Sequence, residues 1–360
     1  MISTSLKQLK DVQWGEFFIG GEKGLFEVAS TLSGIDKNKL NLDNGDSNIP
    51  YITRTEFNNG VNLFVPKDQK KSYEINKGNV ITIGLDTQTV FYQQHEFYTG
   101  QNIQVLSHEK LTKNNALFII PLLKIQMQKF NWGGNGATLG RLARTKIVLP
   151  VTKLGEPDWD FMDRYVVEVE QIKKQNYSTY VQKQVKVLKH KPIKKLEEKT
   201  WSEFCIDDIF YINSGKRLTK KSMIPGIRPF IGATDSNNGV TNFISNTNSS
   251  LDQNVLGVNY NGSVCESFYH PYECIFSDDV KRLTLKNYKG NKYIYLFFKN
   301  IIMAQKPKYT YGYKFNENRM RRQLIMVPVT DNGDPDYLYM EQYIKNMMLK
   351  KYKQYQHNKN

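Results

Sequence analysis

The chain carries two copies of one sequence plan, and this duplication restricts its fold more than any other feature. The segment IPYITRTEFNNGV (49–61) returns as IRPFIGATDSNNGV (227–240). A second pair, KIVLPVTKLGEPDWDFMDRY (146–165) and LIMVPVTDNGDPDYLYMEQY (324–343), shares P-V-T, then G-x-P-D, then an aromatic residue, Met and Tyr. The period of about 178 residues is far longer than that of solenoid repeats, which is about 20–50 residues. The sequence therefore predicts the duplication of a whole domain.

Length and composition are compatible with two folded domains. A chain of 360 residues can bury two cores, and 39% hydrophobic content excludes a disordered protein. The three cysteines, Cys205, Cys265 and Cys274, are too few for a disulfide framework, which favours a reducing compartment. No apolar run has the length of a signal-peptide core or approaches the ~18 residues of a membrane span. We therefore expect a soluble cytoplasmic protein with no membrane partner.

Each copy combines short strands with one apolar helix. The runs NVITIGL, IQVLS and RLTLK have strand composition and are bounded by Gly and Asn clusters. The runs LFIIPLLKIQMQKF and YIYLFFKNIIMAQK predict one helix per copy. Pro121 is expected to bend or end the first of these helices, because proline removes a backbone donor. Each copy is therefore predicted to be a compact α+β domain.

A long helix is predicted after each G-x-P-D. Pro157 suits the first helical position, and the negative charge of Asp158 is favoured at a helix N-terminus. In the second copy, Asp334 is the expected N-cap. Residues 158–190 would extend roughly 50 Å, while the run from 336 to about 355 is shorter. Packing on their own domains is one possibility, but the length of the first helix favours a protruding pair, as in a coiled coil.

Catalytic motifs are not evident in the sequence. A methyltransferase would need a glycine-rich turn and an Asn/Asp-Pro-Pro-aromatic loop, and neither is present. The dense glycine run NWGGNGATLG (131–140) does not have dinucleotide or P-loop spacing. It indicates a flexible loop or one whose backbone approaches a phosphate. A nuclease pattern of Pro157, Asp158 and the EEK at 197–199 would place its groups at opposite ends of the predicted helix, so we predict no catalytic residues.

A metal site at Cys265, His270 and Cys274 is also disfavoured. The spacing C-x4-H-x3-C lacks the fourth ligand that structural zinc requires. The first copy keeps a histidine there, His95, but has Val90 and Thr99 in place of the two cysteines. We therefore interpret the cysteines as core thiols and predict no metal.

Two equivalent basic loops suggest a polyanionic partner. QKPKYTYGYKFNENRMRR (305–322) and QKFNWGGNGATLGRLARTK (128–146) interleave cations with aromatic rings. Cations neutralise phosphates, and the rings provide flat contact surfaces. The formal charge of +15 agrees, although an AT-rich genome also raises the lysine, asparagine and tyrosine content.

The repeated TRTEFNNG and ATDSNNG segments contain side chains that can recognise bases. Arginine pairs with guanine, asparagine with adenine, and an acidic side chain with the cytosine amino group. Arg54, Asn58 or Asn59, and Asp235 are the corresponding candidates. For Asn59 and Asn238 themselves, an Asn-Gly turn is the favoured interpretation.

Taken together, these motifs resemble the DNA-specificity (S) subunits of Type I restriction-modification systems. The features are the W-x-E-F openings, PFIGATDSNNGV, and a long helix after each domain; G-x-P-D-W-D-F-M points to the BcgI-like Type IIB branch. The resemblance covers essentially the whole chain. It implies target-recognition domains at 1–155 and 201–334, a central spacer helix and linker at 156–200, and a C-terminal spacer helix and tail at 335–360.

The resemblance also implies function. Each domain would recognise half of a bipartite site in double-stranded DNA, and the helices would form an antiparallel coiled-coil-like spacer. The chain itself would be non-catalytic and bind no cofactor, since S-adenosylmethionine and Mg²⁺ would belong to partner methyltransferase subunits, with nuclease either fused to them or separate. A DNA nuclease or modification enzyme with a diverged core, and a scaffold unrelated to DNA, stay as alternatives.

Two sets of residues carry these expectations. The predicted DNA contacts are Arg54, Thr55, Asn58, Thr87, Gln88, Trp132, Asn135, Arg141, Arg144, Lys216, Arg217, Thr234, Asp235, Asn261, Ser263, Tyr309, Tyr311, Lys314, Arg319 and Arg322. The predicted partner-docking residues on the helices are Phe161, Tyr165, Val169, Ile172, Tyr339 and Tyr343.

Overall fold

The computed structural model describes residues 9–43, 48–130, 136–310 and 312–358. The chain divides into two compact units, which we call the first repeat (Met1–Tyr177) and the second repeat (Ser178–Asn360). The division falls within the central helix, so each unit takes part of it.

The first repeat is built from three small sheets and two main helices. β1 pairs with β9, the second sheet has the order β2-β8-β5-β6, and the third has the order β4-β3-β7. All these pairings are antiparallel except that of β3 with β7. The elements in chain order are β1 (Trp14–Phe18), β2 (Glu27–Ser30), β3 (Asn48–Ile52), β4 (Val61–Pro66), β5 (Val80–Gly84), β6 (Val90–Gln93), β7 (Tyr98–Thr99), β8 (Ile103–Ser107), α1 (Lys113–Met127), α2 (Leu139–Ala143), β9 (Lys146–Pro150) and α3 (Trp159–Val187).

The second repeat has the same topology strand for strand. Its sheets are β10-β18, β11-β17-β14-β15 and β13-β12-β16, again with one parallel pairing, β12 with β16. The elements are β10 (Trp201–Cys205), α4 (Ile206–Ile209), β11 (Phe210–Ser214), β12 (Pro225–Ile231), β13 (Val240–Ile244), β14 (Val255–Asn259), β15 (Ser267–His270), β16 (Ile275–Phe276), β17 (Val280–Leu285), α5 (Lys292–Met303), α6 (Glu317–Arg322), β18 (Leu324–Pro328) and α7 (Tyr337–His357). The predicted duplication of a mixed helix and strand domain is confirmed, as are the three predicted strands.

Each core forms where one apolar helix packs on a fully buried strand. Val80–Gly84 and Val255–Asn259 are buried along their whole lengths, and the inner faces of α1 and α5 close over the sheets that contain them. Pro121 does not end α1 as predicted, since the helix continues to Met127. Pro121 is exposed, and so is Leu117, whose carbonyl loses its helical partner. Water can therefore satisfy that carbonyl.

In both repeats, the N-cap of the core helix is tied to the long helix that follows. Thr112 and Asn115 form a capping box at the start of α1, and the Asn115 amide donates to Asp163 of α3 at 3.2 Å. In the second repeat Asn291 caps α5 and donates to Glu341 of α7 at 2.8 Å. The same polar clamp therefore fixes the root of each long helix.

Both long helices begin later than predicted: α3 begins at Trp159, so Pro157 does not occupy its first position, and α7 begins at Tyr337. Asp336 accepts from the backbone N–H of Tyr339 at 2.9 Å, so Asp336 and not Asp334 is the N-cap. The G-x-P-D turn explains the shift, because Thr330 donates its N–H to the Asp334 carbonyl and Val329 bridges to Pro335 before the helix starts. α3 has 29 residues and α7 has 21, which correspond to about 44 Å and about 32 Å.

Within the second repeat, the end of α3 and the segment after it run antiparallel to α7. The hydroxyl groups of Tyr180 and Tyr352 lie 3.3 Å apart. Further along, the Gln342 side chain donates to the Lys189 carbonyl at 3.0 Å. Residue numbers rise on one side and fall on the other, which defines the antiparallel direction. In the described part of the chain, no helix combines the length and apolarity that a membrane crossing requires.

Candidate nucleic-acid interface

Three loops of the first repeat meet in what we call the first loop cluster, residues 53–60, 85–89 and 136–145. Arg54 pairs with Asp86, which joins the first loop to the second. The N–H of Ala137 donates to the Leu85 carbonyl at 3.4 Å, which joins the second loop to the third. These segments are far apart in sequence, and the order of the sheets brings them together.

The second repeat forms a matching second loop cluster from residues 232–239, 260–266, 306–310 and 312–322. The N–H of Ser263 donates to the Ala233 carbonyl at 3.3 Å. Lys306 pairs with Glu266 at 2.5 Å and connects the third loop.

Most predicted DNA contacts fall in these clusters. Lys216 and Arg217 lie beside the second cluster, where Arg217 makes a 3.7 Å ion pair with Asp278. Trp132, Asn135 and Tyr311 lie outside the described residues. The first cluster contains Arg54, Thr55, Asn58, Thr87, Gln88, Arg141 and Arg144, and the second contains Thr234, Asp235, Asn261, Ser263, Tyr309, Lys314, Arg319 and Arg322.

The Asn-Asn-Gly segments are tight left-handed turns. Asn58, Asn59 and Gly60 have φ values of 50°, 57° and 81°, a run that asparagine and glycine tolerate best. Asn237 and Asn238 repeat this geometry with 50° and 55°. The Asn59 amide donates to the Tyr92 carbonyl at 2.9 Å, which fixes the turn to β6. The turn interpretation of Asn59 and Asn238 is therefore confirmed.

One arginine in each repeat braces its third loop. Arg141 donates to the Gly136 carbonyl at 3.0 Å, and the matched Arg319 donates to the Lys314 carbonyl at 2.8 Å. Arg319 also lies over the Tyr313 ring, with its guanidinium carbon 3.7 Å from the ring centre. These arginines have a structural role whether or not they also contact a phosphate.

Other predicted residues are more accessible. Arg144 is the C-cap of the short helix α2, Arg322 is the last residue of α6, and both are exposed. Asp235 is exposed and accepts a hydrogen bond from Ser236 at 3.0 Å. Tyr309 is half-buried, its hydroxyl donates to Gln323 at 2.6 Å, and burial raises its pKa. Exposed cations at matched positions can approach phosphates from both clusters.

Sequence reasoning missed an ion-pair network that anchors α6. Glu317 accepts from Lys281 at 2.8 Å and from Arg321 at 2.9 Å, and Arg321 also pairs with Asp207. The hydrogen bond from Lys281 is the main reason that the pKa of Glu317 falls to about 2. Leu139 occupies the matched position in the first repeat, so only the second cluster has this anchor. These partners are far apart in the chain, and no local motif signals them.

Cys265 and Cys274 are core thiols, as predicted, but the residues expected to match them in the first repeat are wrong. Cys265 and Cys274 are buried, and desolvation raises the pKa of each thiol to about 12. The strand register matches His270 with Gln93 rather than with His95. His270 pairs with Val255, the first residue of β14, and Gln93 pairs with Val80, the first residue of β5. Consequently Val90 and Thr99 are not the counterparts of the cysteines. Among the described residues, no three His, Cys, Asp or Glu side chains group as metal ligands.

The predicted docking residues divide into two groups. Phe161 and Tyr339 are buried within their own repeats, where Phe161 contacts Phe118 edge-on at 6.2 Å and the Tyr339 hydroxyl donates to the Lys194 carbonyl. This packing corrects the expectation that these two side chains present a surface to a partner. Ile172 is exposed. The half-buried residues are Tyr165, Val169 and Tyr343.

Comparison with known proteins identifies the family to which this chain belongs. The family model of the Type I restriction modification DNA specificity domain matches twice, at residues 12–179 and 198–357. The "Type II restriction enzyme BgcI specificity subunit S.BcgI" of Heyndrickxia coagulans is 45% identical over 314 residues, which are 87% of this chain and 89% of that protein.

Solved structures give a more distant likeness. The S subunit of a Type-I restriction-modification system from M. genitalium aligns with 98% of this chain and 93% of its own, at 14% identity and a TM-score of 0.49. The HsdS subunit from Thermoanaerobacter tengcongensis aligns with 95% of this chain and 89% of its own, at 12% identity and a TM-score of 0.32. On the two family matches and the 45% identical relative, the chain belongs to the family of DNA specificity subunits of restriction-modification systems.

Proposed function

We propose that the two loop clusters recognise two separate parts of one DNA target, and that this chain directs partner methyltransferase and nuclease subunits to it. The observation that carries this proposal is the duplication of a complete loop cluster, with exposed Arg144 and Arg322 at matched positions. Two copies of a recognition surface can each bind one half of a bipartite DNA target. Family membership assigns specificity, rather than catalysis, to the chain.

The long helices are proposed to act as a spacer. The antiparallel contacts between the end of α3 and α7 in the second repeat support pairing of the two helices in the manner of a coiled coil. A 29-residue helix of about 44 Å corresponds to about 13 base pairs at ~3.4 Å each. Two short half-sites with several unrecognised base pairs between them fit this length.

Chemistry is assigned to partners. We infer that S-adenosylmethionine and Mg²⁺ bind to methyltransferase and nuclease subunits, and that this chain holds neither. A methyltransferase must extrude its target base from the duplex, and the specificity subunit would deliver that base to it. The remaining candidates for partner contact are the exposed Ile172 and the half-buried Tyr165, Val169 and Tyr343. Such a complex would work in the cytoplasm, where the target DNA lies.

Selection from randomised duplex DNA tests the proposal. The full chain, assembled with methyltransferase subunits, should enrich one bipartite sequence with a fixed gap. Enrichment of one continuous sequence, or of none, would contradict it. The purified chain alone, supplied with duplex DNA, Mg²⁺ and S-adenosylmethionine, should neither cut nor methylate. Either activity would instead support a DNA nuclease or modification enzyme with a diverged catalytic core.

A further inference from the structure

The two loop clusters differ at one matched position that bears on base recognition. Arg54 in the first repeat corresponds to Ala233 in the second, since each stands five residues before the second asparagine of its turn. The Arg54 side chain is 41% exposed, while its partner Asp86 is only 17% exposed. An accessible guanidinium is thus held by a mostly shielded carboxylate.

Asp86 is itself held by its surroundings. Its carboxylate also accepts from the Asn102 amide at 3.3 Å, and its backbone carbonyl accepts from Gln88 at 2.9 Å. The hydroxyls of Thr87 and Thr89 lie 3.1 Å apart in the same turn. The carboxylate is therefore part of a braced turn rather than a mobile surface group.

The second repeat keeps the braced turn but exchanges its charges. Asn261 stands where Asp86 stands, and Asp279 stands where Asn102 stands, with the Asn261 amide donating to Asp279 at 2.9 Å. The Gly262 backbone, with φ of 59°, packs against Ala233 so closely that a Cβ on Gly262 would meet the Ala233 carbonyl at 2.5 Å. The second cluster therefore lacks the arginine, and its turn packs closely against the backbone at the matched position.

We propose that Asp86 is a positioning residue that orients Arg54 toward a guanine in the half-site of the first repeat, and that the second repeat recognises its half-site without this contact. This inference rests on the proposed function. A guanidinium has five N–H donors, so an edge turned away from Asp86 can still donate twice to guanine O6 and N7. An arginine already held by a carboxylate loses less side-chain freedom on binding. The two half-sites should consequently differ in sequence.

The experiment is selection from duplex DNA randomised in both half-sites, with the full chain assembled with methyltransferase subunits. Arg54→Ala should lower the preference for guanine at one position of one half-site by about 5-fold to 150-fold. Asp86→Asn should relax the same position by about tenfold, through a weaker hold on Arg54. The matched control is Glu96→Gln, which removes a carboxylate from an exposed ion pair with Lys67 at the far end of the β3–β4 hairpin and should change no preference.

The double variant separates positioning from general support. If Asp86 acts through Arg54, Asp86→Asn should add no further loss of preference in the Arg54→Ala background, and the melting temperature should stay near that of the control. Uniform loss of affinity for all sequences, a large fall in melting temperature, or relaxation in both half-sites would overturn the inference. An unchanged preference in Asp86→Asn would do the same. If the wild-type complex selects no bipartite sequence, the proposed function fails instead.

Discussion

The two repeats share a backbone plan but differ in the polar groups inside it, and one pair of positions shows how. In the first repeat the Gln93 amide donates to Thr82 at 3.1 Å inside the sheet. In the second, the same two positions hold His270 and Gly257, and a Cβ on Gly257 would lie 3.0 Å from the His270 ring nitrogen Nε2. The glycine makes room for the imidazole. The two repeats therefore keep one topology, while residues that contact each other inside the sheet differ as a pair.

Exchange of this pair should give the largest effect. Gly257→Thr introduces the residue of the first repeat beside an imidazole and the Phe276 ring, and we expect it to destabilise the second repeat by about 3 kcal/mol. Adding His270→Gln rebuilds the pair of the first repeat and should recover about half of that loss. Thermal or denaturant unfolding measures both variants. A double variant no more stable than the single one would contradict the idea of a compensated pair.

The pH dependence of the second repeat should be the next largest effect. Burial lowers the pKa of His270 from its ordinary 6.5 to about 4, so the folded state binds fewer protons than the unfolded state between these values. The stabilisation is complete above pH 6.5 and is lost as pH falls toward 4, with about 2 kcal/mol lost from pH 7 to pH 5. His270→Gln should flatten this part of the curve in urea titrations. An unchanged slope in the variant would show that other groups cause it.

The α6 anchor should contribute less. Glu317→Gln leaves the mostly buried Lys281 without its carboxylate and should destabilise the second repeat by about 1 kcal/mol. Since the folded pKa of Glu317 is about 2, this contribution is present above its ordinary pKa and is lost as pH falls from about 4 to about 2. Leu139→Ala at the matched position of the first repeat is the control variant. It should leave the dependence of stability on pH between about 4 and about 2 unchanged. Equal acid sensitivity of the Glu317 variant and the wild type would argue against the anchor.

The smallest effect is expected at the exposed pair of Arg217 and Asp278. The two charged groups lie 3.7 Å apart, and the arginine is 80% exposed, so solvent screens their attraction. Asp278→Asn should change the unfolding free energy by less than about 0.5 kcal/mol. A loss as large as that of Glu317→Gln would mean that surface pairs near the second cluster are stronger than their exposure indicates.

The sequence predicted the elements better than the contacts between them. The duplication, the α+β class and the presence of a long helix after each G-x-P-D follow from sequence patterns, although both helices begin later than predicted. The equivalence of His270 with Gln93 was missed because the turn at 260–266 is two residues longer than that at 85–89, which shifts simple alignment. The ion pairs of Arg54 and Glu317 depend on sheet order, which a single sequence does not state. Pro121 was misjudged because solvent can satisfy the carbonyl that it leaves unpaired.

Footprinting of matched arginine variants tests the central claim most directly. The bipartite target is bound by the full complex, and backbone protection is compared for wild type, Arg144→Ala and Arg322→Ala. If each loop cluster grips its own half-site, Arg144→Ala should weaken protection in one half-site and Arg322→Ala in the other. Loss of protection in the same half-site for both variants, or in neither, would contradict the account.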